Sequence, residues 1–399
     1  MYSPRIKTGI FILAGLNQVA MVYYFLYLYF FMQVKFGFGN LHNLLLASLS
    51  GSVYMVASVL GGRFGQRRGY FAALRLGYAI MVAALLAGSV AGSVGGHLLV
   101  MASCVFGMCF TWPNLEAMVS EGESPLRLQS MVGIYNLVWS ASSALAYFTG
   151  GAMIETLGFK SIFLVPAALQ FGQLLYTGWL ERQASLPAVR ATEPHVPLDR
   201  LAGLPLNPRP IHRARTFLRL AWIANPFAYV AMSSVLPVIP TLAKQLQLTP
   251  TLAGVFCSVW FFARFGAFLW LWLWPGWHYQ LRWLLGAYAI MVVSFVLILQ
   301  VPDLWVLMLA QIGFGASVGL IYSSSLFYSM DVGETKGEHG GWHEAAIGAG
   351  NCGGPLVGAG AMLCFPAAPA AGTRAVGVLL LAGCLAMLAI YGRYRTRSP

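Results

Sequence analysis

The sequence predicts an all-α integral membrane protein, with twelve transmembrane helices that form two pseudo-symmetric six-helix bundles. Hydrophobic residues make up 58% of the 399 residues and charged residues only 9%, whereas a soluble domain has about a quarter of its residues charged. The apolar runs approach the ~20 residues that cross a bilayer as a helix. The short alternating segments typical of a membrane β-barrel are absent.

Twelve apolar segments alternate with polar connections, at roughly 8–34, 43–61, 71–92, 97–119, 129–153, 160–181, 216–241, 250–273, 283–301, 304–328, 341–365 and 374–392. An even number of spans places both termini on one side of the membrane. The segments on that side hold 19 of the 24 lysines and arginines, the opposite side holds four, and Arg264 lies inside a span. Positive charge concentrates in cytoplasmic loops, so both termini are predicted to be cytoplasmic in a cell membrane. The net charge of +12 therefore reflects topology, and no nucleic-acid partner is expected.

One long polar connection, residues 182–214, is predicted to be a cytoplasmic linker between an N-terminal bundle (1–181) and a C-terminal bundle (215–399). It holds six prolines, and such a segment buries too little apolar surface to fold alone. At an offset of 208 residues, Gly133 falls on Gly341 and Asn17 on Asn225. One spacing that serves several spans indicates a parallel repeat of two halves.

The loop between spans two and three reads "GRFGQRRG", and span eleven contains "GNCGGPLVGAG". In this plan of six plus six spans, the chain resembles the major facilitator superfamily of secondary transporters. That family carries a glycine, an aspartate–arginine pair and a second glycine in this loop. The corresponding positions here form a predicted cytoplasmic gate: Gly62, Arg63, Gln66, Arg67 and Gly69, with Gln66 in place of the aspartate. The resemblance implies transport by alternating access, and it says almost nothing about substrate.

Four ionisable residues interrupt the apolar spans: Glu116, Arg264, His343 and Glu344. An ionisable residue within a membrane helix is a functional candidate, because its burial costs at least ~2.5 kcal/mol. Arg264 is predicted to lie slightly past the midplane and to form an ion pair with Glu344 or Glu116. Glu344 is predicted to lie within a turn or two of the cytoplasmic end, and two hypotheses describe its role. It is either a latch to Arg63 or Arg67, or part of a transport site in which it or His343 exchanges protons. Plain helix packing is the third reading.

Further polar and aromatic side chains are candidates for contact with substrate or coupling ion: Asn17, Gln18, Tyr24, Asn114, Tyr135, Asn136, Asn225, Tyr229 and Tyr322. The paired amides of spans one and seven lie near the predicted midplane. The alternative is that each amide bonds to neighbouring backbone. Zinc is not expected, because no second histidine follows His343 by four residues.

The first functional hypothesis is a secondary active transporter of a small organic solute, coupled to protons and working in efflux rather than uptake. It is expected to act as a monomer in the lipid bilayer, without a cofactor. A lipid or amphiphile translocator of the same fold is the alternative. A membrane-embedded enzyme is a remote third, because no nucleophile with its base or metal cluster is evident.

Overall fold

The computed structural model describes residues 2–123, 125–185, 211–301, 303–331, 338–368 and 370–397. These residues are almost entirely helical and contain no strand. The α-helices are α1 (Pro4–Phe36), α2 (Asn40–Arg68), α3 (Tyr70–Val90), α4 (Val94–Cys109), α5 (Trp112–Ser120), α6 (Pro125–Leu157), α7 (Ser161–Ser185), α8 (Ile211–Val235), α9 (Ile239–Gln245), α10 (Pro250–Cys257), α11 (Val259–Leu273), α12 (Leu281–Gln300), α13 (Leu304–Asp331), α14 (Glu338–Cys364) and α15 (Ala371–Arg397).

Three membrane spans are built from two helices each, namely α4 with α5, α8 with α9, and α10 with α11. Prolines stand in the first turn of α5, α9 and α10, where a missing backbone N–H costs no helical hydrogen bond. Ten stretches are long and apolar enough to cross a membrane. The remaining two, α7 and α14, are long enough but more polar. They complete the twelve predicted spans.

Local signals fix several helix ends. The Ser3 hydroxyl accepts a hydrogen bond from the backbone N–H of Ile6 at the start of α1, and Thr249 caps α10 in the same way. Gly69 has a φ of +92° between α2 and α3, which only glycine adopts without strain. The second glycine of the "GRFGQRRG" motif therefore makes this short turn possible.

The helices form two bundles, α1–α7 and α8–α15, and the predicted linker falls between them. Residues 186–210 of that linker lie outside the described residues, and α7 continues to Ser185. The halves meet mainly where α2 packs on α14 and where α6 packs on α10 and α11. We call the face that holds both chain ends the terminal face, and the opposite one the far face.

Glycines allow the two halves to approach closely. A Cβ at Gly51 of α2 would overlap the backbone of Cys352 on α14, and one at Gly348 would lie 2.6 Å from the Cα of Met55. At the other seam, a Cβ at Gly151 would overlap the Pro250 carbonyl. These contacts bring helix backbones together without intervening side chains, as is common between membrane helices.

Polar contacts also join the halves at the far face. Gln33 donates to Thr241 at 3.4 Å, and Asn43 donates to the Pro237 carbonyl at 3.2 Å. Glu155 accepts hydrogen bonds from both the backbone N–H and the hydroxyl of Thr251, at 3.0 and 2.6 Å. The far face is therefore closed in this structure.

Candidate functional site

Two glutamates from opposite halves lie within electrostatic range of each other. Glu116 of α5 is half-buried and within electrostatic range of Glu344 of α14, which is 7% exposed. Tyr54 of α2 donates a hydrogen bond to the Oε2 atom of Glu344. Among the side chains that the structure describes, no basic nitrogen lies within 4 Å of either carboxylate. Among the described residues, the pair thus has a neutral hydrogen-bond donor and no cationic partner within 4 Å.

Tyr54 and Glu344 occupy different positions along their helices. Tyr54 lies midway along the 29 residues of α2, about 21 Å from either end at ~1.5 Å per residue. Glu344 lies near the start of α14 (Glu338–Cys364), one helical turn before Gly348, which packs against Met55. The sequence prediction placed Glu344 within a turn or two of the cytoplasmic end, and its depth in the membrane stays a prediction.

Three more tyrosines surround the glutamates. Tyr135 of α6, Tyr229 of α8 and Tyr322 of α13 are each within electrostatic range of both carboxyl groups. We call this group the acid cluster, and its members are Tyr54, Glu116, Tyr135, Tyr229, Tyr322 and Glu344. A phenol hydroxyl both donates and accepts hydrogen bonds, so such a cluster suits carboxyl groups in either protonation state.

Arg264 of α11 is 4% exposed and is held among aromatic rings. The central carbon of its guanidinium lies 4.2 Å from the ring centre of Trp139, 5.0 Å from that of Trp260 and 5.3 Å from that of Phe261. Its Nη1 is 3.7 Å from the sulfur of Met232, and its Nε has no hydrogen-bond partner among the described residues. We call these three rings the aromatic cage. Trp139 comes from the first half, so the cage also spans the interface.

The acid cluster and the aromatic cage adjoin each other. Trp139 stacks on Tyr322 with ring centres 5.9 Å apart and planes 15° apart. Tyr229 and Tyr322 are both within electrostatic range of Arg264. The ring of His343 meets that of Tyr322 edge-on at 6.3 Å, and its Nε2 has no partner among the described residues. We call the whole assembly the central site. It brings together seven predicted residues: Glu116, Tyr135, Tyr229, Arg264, Tyr322, His343 and Glu344.

The predicted ion pair from Arg264 to Glu344 or Glu116 is wrong for this structure. The guanidinium faces the aromatic cage, and no described carboxylate lies within 4 Å of it. The faces of aromatic rings attract a desolvated cation by about 2 kcal/mol. The rings therefore replace part of the attraction that a carboxylate was expected to provide.

The predicted contact of Glu344 with Arg63 or Arg67 is also not formed. Glu344 bonds to Tyr54, and the two arginines lie nine and thirteen residues further along α2. These spacings correspond to roughly 14 and 20 Å along the helix. A contact between the halves does exist at Glu344, but its partner is a tyrosine from the middle of α2.

The gate residues line the terminal face instead. Gln66, Arg67 and Arg63 are exposed, and a Cβ at Gly62 would meet nothing within 4 Å. Gln66 and Gly69 contribute to a shallow cavity of about 410 Å³, whose other lining residues are Tyr2, Gly65, Arg68, Tyr70, Phe71, Ala72, Glu121 and Glu181. Nearby, Arg75 pairs with Glu181 and Lys7 with Glu123. The gating role of this motif stays a prediction.

Several predicted polar residues lie inside the first bundle, away from the interface. Asn17 donates to the Thr111 hydroxyl at 3.0 Å and accepts from Gln170 at 2.9 Å. Gln18 donates to Ser143 at 2.7 Å. Asn114 donates to the carbonyls of Gly61 and Phe110, at 3.3 and 2.9 Å. Asn114 thus bonds to neighbouring backbone, whereas Asn17 and Gln18 bond to side chains of other helices in the first bundle.

The remaining predicted residues have less defined surroundings. Tyr24 is fully buried against Phe163 of the same bundle, with ring centres 5.8 Å apart. Asn136 and Asn225 are buried, and the Oδ1 atom of each has no hydrogen-bond partner among the described residues. Asn225 precedes Tyr229 by one helical turn and so shares its face of α8.

Sequence reasoning missed Tyr54 and Trp139. A signal for Tyr54 was present, because it is the one large residue on a buried stripe of α2 that otherwise reads Gly51, Ser58, Gly61 and Gly65. A bulky polar side chain on a stripe of small residues is well placed to reach across an interface. No comparable signal marks Trp139, since aromatic residues are 14% of the chain.

The described residues include no group of three histidine, cysteine, aspartate or glutamate side chains suited to a metal ion. The hydroxyls and carboxyls of the central site are instead groups that bind protons and organic solutes. Twelve membrane spans in two bundles, with such a site at their interface, define the fold of a secondary transporter. The family model described as Major Facilitator Superfamily matches residues 10–355, and the chain belongs to this family.

Solved structures of transporters share this fold. A glutamate-to-glutamine mutant of the peptide transporter POT matches with a TM-score of 0.72 and 16% identity, over 98% of this chain and 95% of its own. The same mutant in complex with alafosfalin matches equally well, at a TM-score of 0.72 and 16% identity over the same shares of each chain. A bacterial homolog of the human lysosomal transporter Spinster, inward-facing and unoccupied, matches with a TM-score of 0.66 and 13% identity, over 99% and 97%. No curated protein sequence matches the chain. The chain is thus a membrane transporter and not an enzyme.

Proposed function

We propose that this transporter couples the movement of a small organic solute to protons, with Glu344 as the residue that takes up and releases the proton. One observation carries the proposal. Glu344 is buried in the membrane-spanning helix α14, within electrostatic range of Glu116, with Tyr54 as its hydrogen-bond partner and no described basic nitrogen within 4 Å. A carboxylate buried there costs at least ~2.5 kcal/mol, and a second negative charge nearby adds repulsion. A bound proton removes both costs.

The position of Glu344 at the interface links this proton to movement of the halves. Separation of α2 from α14 breaks the hydrogen bond to Tyr54 and admits water to the carboxyl group. Contacts between the halves lie on both sides of the central site. Gln33 meets Thr241 at the far face, and Gly133 packs on Trp272 toward the terminal face. Rocking that breaks one set while the other forms would expose Glu344 to each side in turn.

The concentration of lysines and arginines on the side of the termini supports cytoplasmic termini, with the terminal face on the cytoplasmic side of a cell membrane. In that orientation, a proton that enters from the far face and leaves at the terminal face can drive efflux of the solute by antiport. A small organic solute also agrees with the neighbours of the same fold, one of which is a peptide transporter solved with alafosfalin. Efflux and a monomeric state are carried over from the sequence predictions as further parts of the proposal.

The test uses purified protein in liposomes that contain a pH-sensitive dye. A panel of small organic solutes, including di-alanine peptides and aromatic acids, is added on one side while internal pH is recorded. The wild-type protein should move protons when a transported solute is added, and Glu344→Gln should not, because the amide cannot take up a proton. Glu181→Gln, which removes a carboxylate from the terminal face, is the control and should behave as wild type. Solute transport that leaves the internal pH unchanged in the wild type would contradict proton coupling.

A further inference from the structure

We propose that Arg264 binds the anionic group of the transported solute, and that this solute is an organic anion with a flat aromatic or unsaturated body. The inference rests on the proposed function in one respect, namely that the protein transports a small organic solute, and it takes the central site as the place where this solute binds. It goes further by naming the chemical class of the solute. It depends on Arg264 and the aromatic cage, and not on the identity of the proton carrier.

The first argument is the charge of Arg264. A guanidinium stays protonated in proteins, so this buried side chain carries a positive charge in the interior of the membrane. Buried charges are nearly always paired, because an unpaired one keeps the full cost of losing its water. Here the described neighbours are three aromatic rings and the sulfur of Met232. None of them is an anion, so the site holds a cation whose counter-charge the ligand can supply.

The second argument is hydrogen bonding. Arg264 has five N–H donors in a planar fork that matches a carboxylate or phosphate. Nη1 has only the weak sulfur acceptor at 3.7 Å, and Nε has no acceptor among the described residues. The aromatic cage stabilises the cation but accepts no hydrogen bonds in the plane of the fork. Oxygen atoms of an anionic ligand would fill these positions.

The third argument is the shape and polarity of the surroundings. Trp139 and Tyr322 stack almost parallel, and Phe268 lies within 6.3 Å of the first ring and 5.9 Å of the second. Flat rings beside a cation favour a ligand with a planar body attached to its anionic group. The hydroxyls of Tyr229 and Tyr322 lie within range of Arg264 as additional polar partners. An organic cation would have no such favourable partner here, because the positive charge of Arg264 would repel it.

The experiment compares three ligands that share a naphthalene ring and carry an anionic, a neutral and a cationic group: 2-naphthoate, 2-naphthamide and 2-naphthylmethylamine. Binding to the purified full-length protein is measured by calorimetry and by the shift in its thermal unfolding temperature. Cyclohexanecarboxylate is added to test the need for a flat ring. We expect the naphthoate to bind about tenfold or more tighter than the amide, since hydrogen bonds to a charged acceptor are the stronger ones. Equal binding of the three, tighter binding of the amine, or no binding of either carboxylate would overturn the proposal.

The same series is then repeated on Arg264→Gln and on Arg282→Gln, which removes an exposed arginine at the start of α12. Arg264→Gln should lose the preference for the carboxylate, and Arg282→Gln should keep it. If a folded Arg264→Gln protein still prefers the carboxylate, the assignment of Arg264 is overturned. If Arg264→Gln does not fold, the comparison of the three ligands on the wild-type protein decides the proposal. Glu344→Gln separates the two proposals. A carboxylate preference that depends on Arg264 supports this inference even if proton movement proves independent of Glu344. Proton coupling that depends on Glu344, without any preference for the carboxylate ligand, would overturn this inference and leave the proposed function standing.

Discussion

The phenol of Tyr54 donates a hydrogen bond to the carboxyl group of Glu344, and this contact joins the two halves of the protein. Tyr54 belongs to α2 and Glu344 to α14, two helices that form a main seam between the halves and whose glycines bring their backbones together. A change in the protonation of Glu344 therefore acts directly on the seam that must open during transport. Four predictions follow from the contacts at this interface and behind it.

Tyr54→Phe should weaken the closed arrangement of α2 and α14. The ring remains, and the loss of one buried hydrogen bond costs about 1 kcal/mol, which changes the ratio of closed to open molecules roughly five-fold. Native Cys352 reports this change, because its sulfur lies 3.1 Å from Ser52 and 3.5 Å from Ser48 across the seam. With the other five cysteines replaced by serine, maleimide should label Cys352 faster in Tyr54→Phe. Tyr391→Phe on α15 is the control, and equal labelling rates in all three proteins would contradict the prediction.

Gly51→Ala should disrupt the seam between α2 and α14. The added Cβ would overlap backbone atoms of Asn351 and Cys352, which cannot move away as a flexible side chain can. Overpacking of this kind costs about 1–3 kcal/mol. The unfolding temperature in detergent and the transport rate should both fall. Gly353→Ala on α14 is a matched control, since its Cβ would meet nothing within 4 Å, and an equal loss in that variant would show that the effect is not steric.

Glu155→Ala should open the far face more often. It removes the acceptor of two hydrogen bonds from Thr251, at the point where α6 meets the start of α10. Spin labels on Leu157→Cys and Leu252→Cys, both exposed and on opposite halves, measure the separation in a background without native cysteines. The population at longer distances should grow. Thr156→Ala, whose hydroxyl bonds only to its own helix, should leave the distribution unchanged. An unchanged distribution in Glu155→Ala would mean that this contact does not hold the far face shut.

Asn17→Ala should lower stability without changing which ligands bind. The substitution leaves Thr111 and Gln170 without their shared partner in the first bundle, and each unpaired buried group costs about 1–3 kcal/mol. Thermal unfolding should occur at a lower temperature, while the ratio of carboxylate to amide affinity stays that of the wild type. Thr8→Ala, at an exposed hydroxyl, should change the unfolding temperature little. A changed ligand preference in Asn17→Ala would return Asn17 to the binding site.

The membrane class, the helices and the two-half plan were readable from the sequence because they depend on one-dimensional properties. The length of an apolar run reflects the thickness of the bilayer that it must cross. The even number of spans and the concentration of positive charge on one side indicate the topology. Glu116, Arg264 and Glu344 were also found this way, because an ionisable residue stands out in an apolar run wherever its helix points. The sequence shows the glycines of the interface, but it does not show which backbone each of them contacts.

Only the tertiary structure decided the partners of these residues. The amide of Asn17 and the carboxyl of Glu344 look equally exceptional in the sequence, yet the first is satisfied inside one bundle and the second bonds across the interface. Arg264 was expected to meet a carboxylate and instead lies on Trp139, a residue 125 positions away that no local pattern singled out. The physical reason is that a membrane helix has polar and aromatic side chains on several faces. Which face meets which neighbour is set by the packing of all twelve spans together.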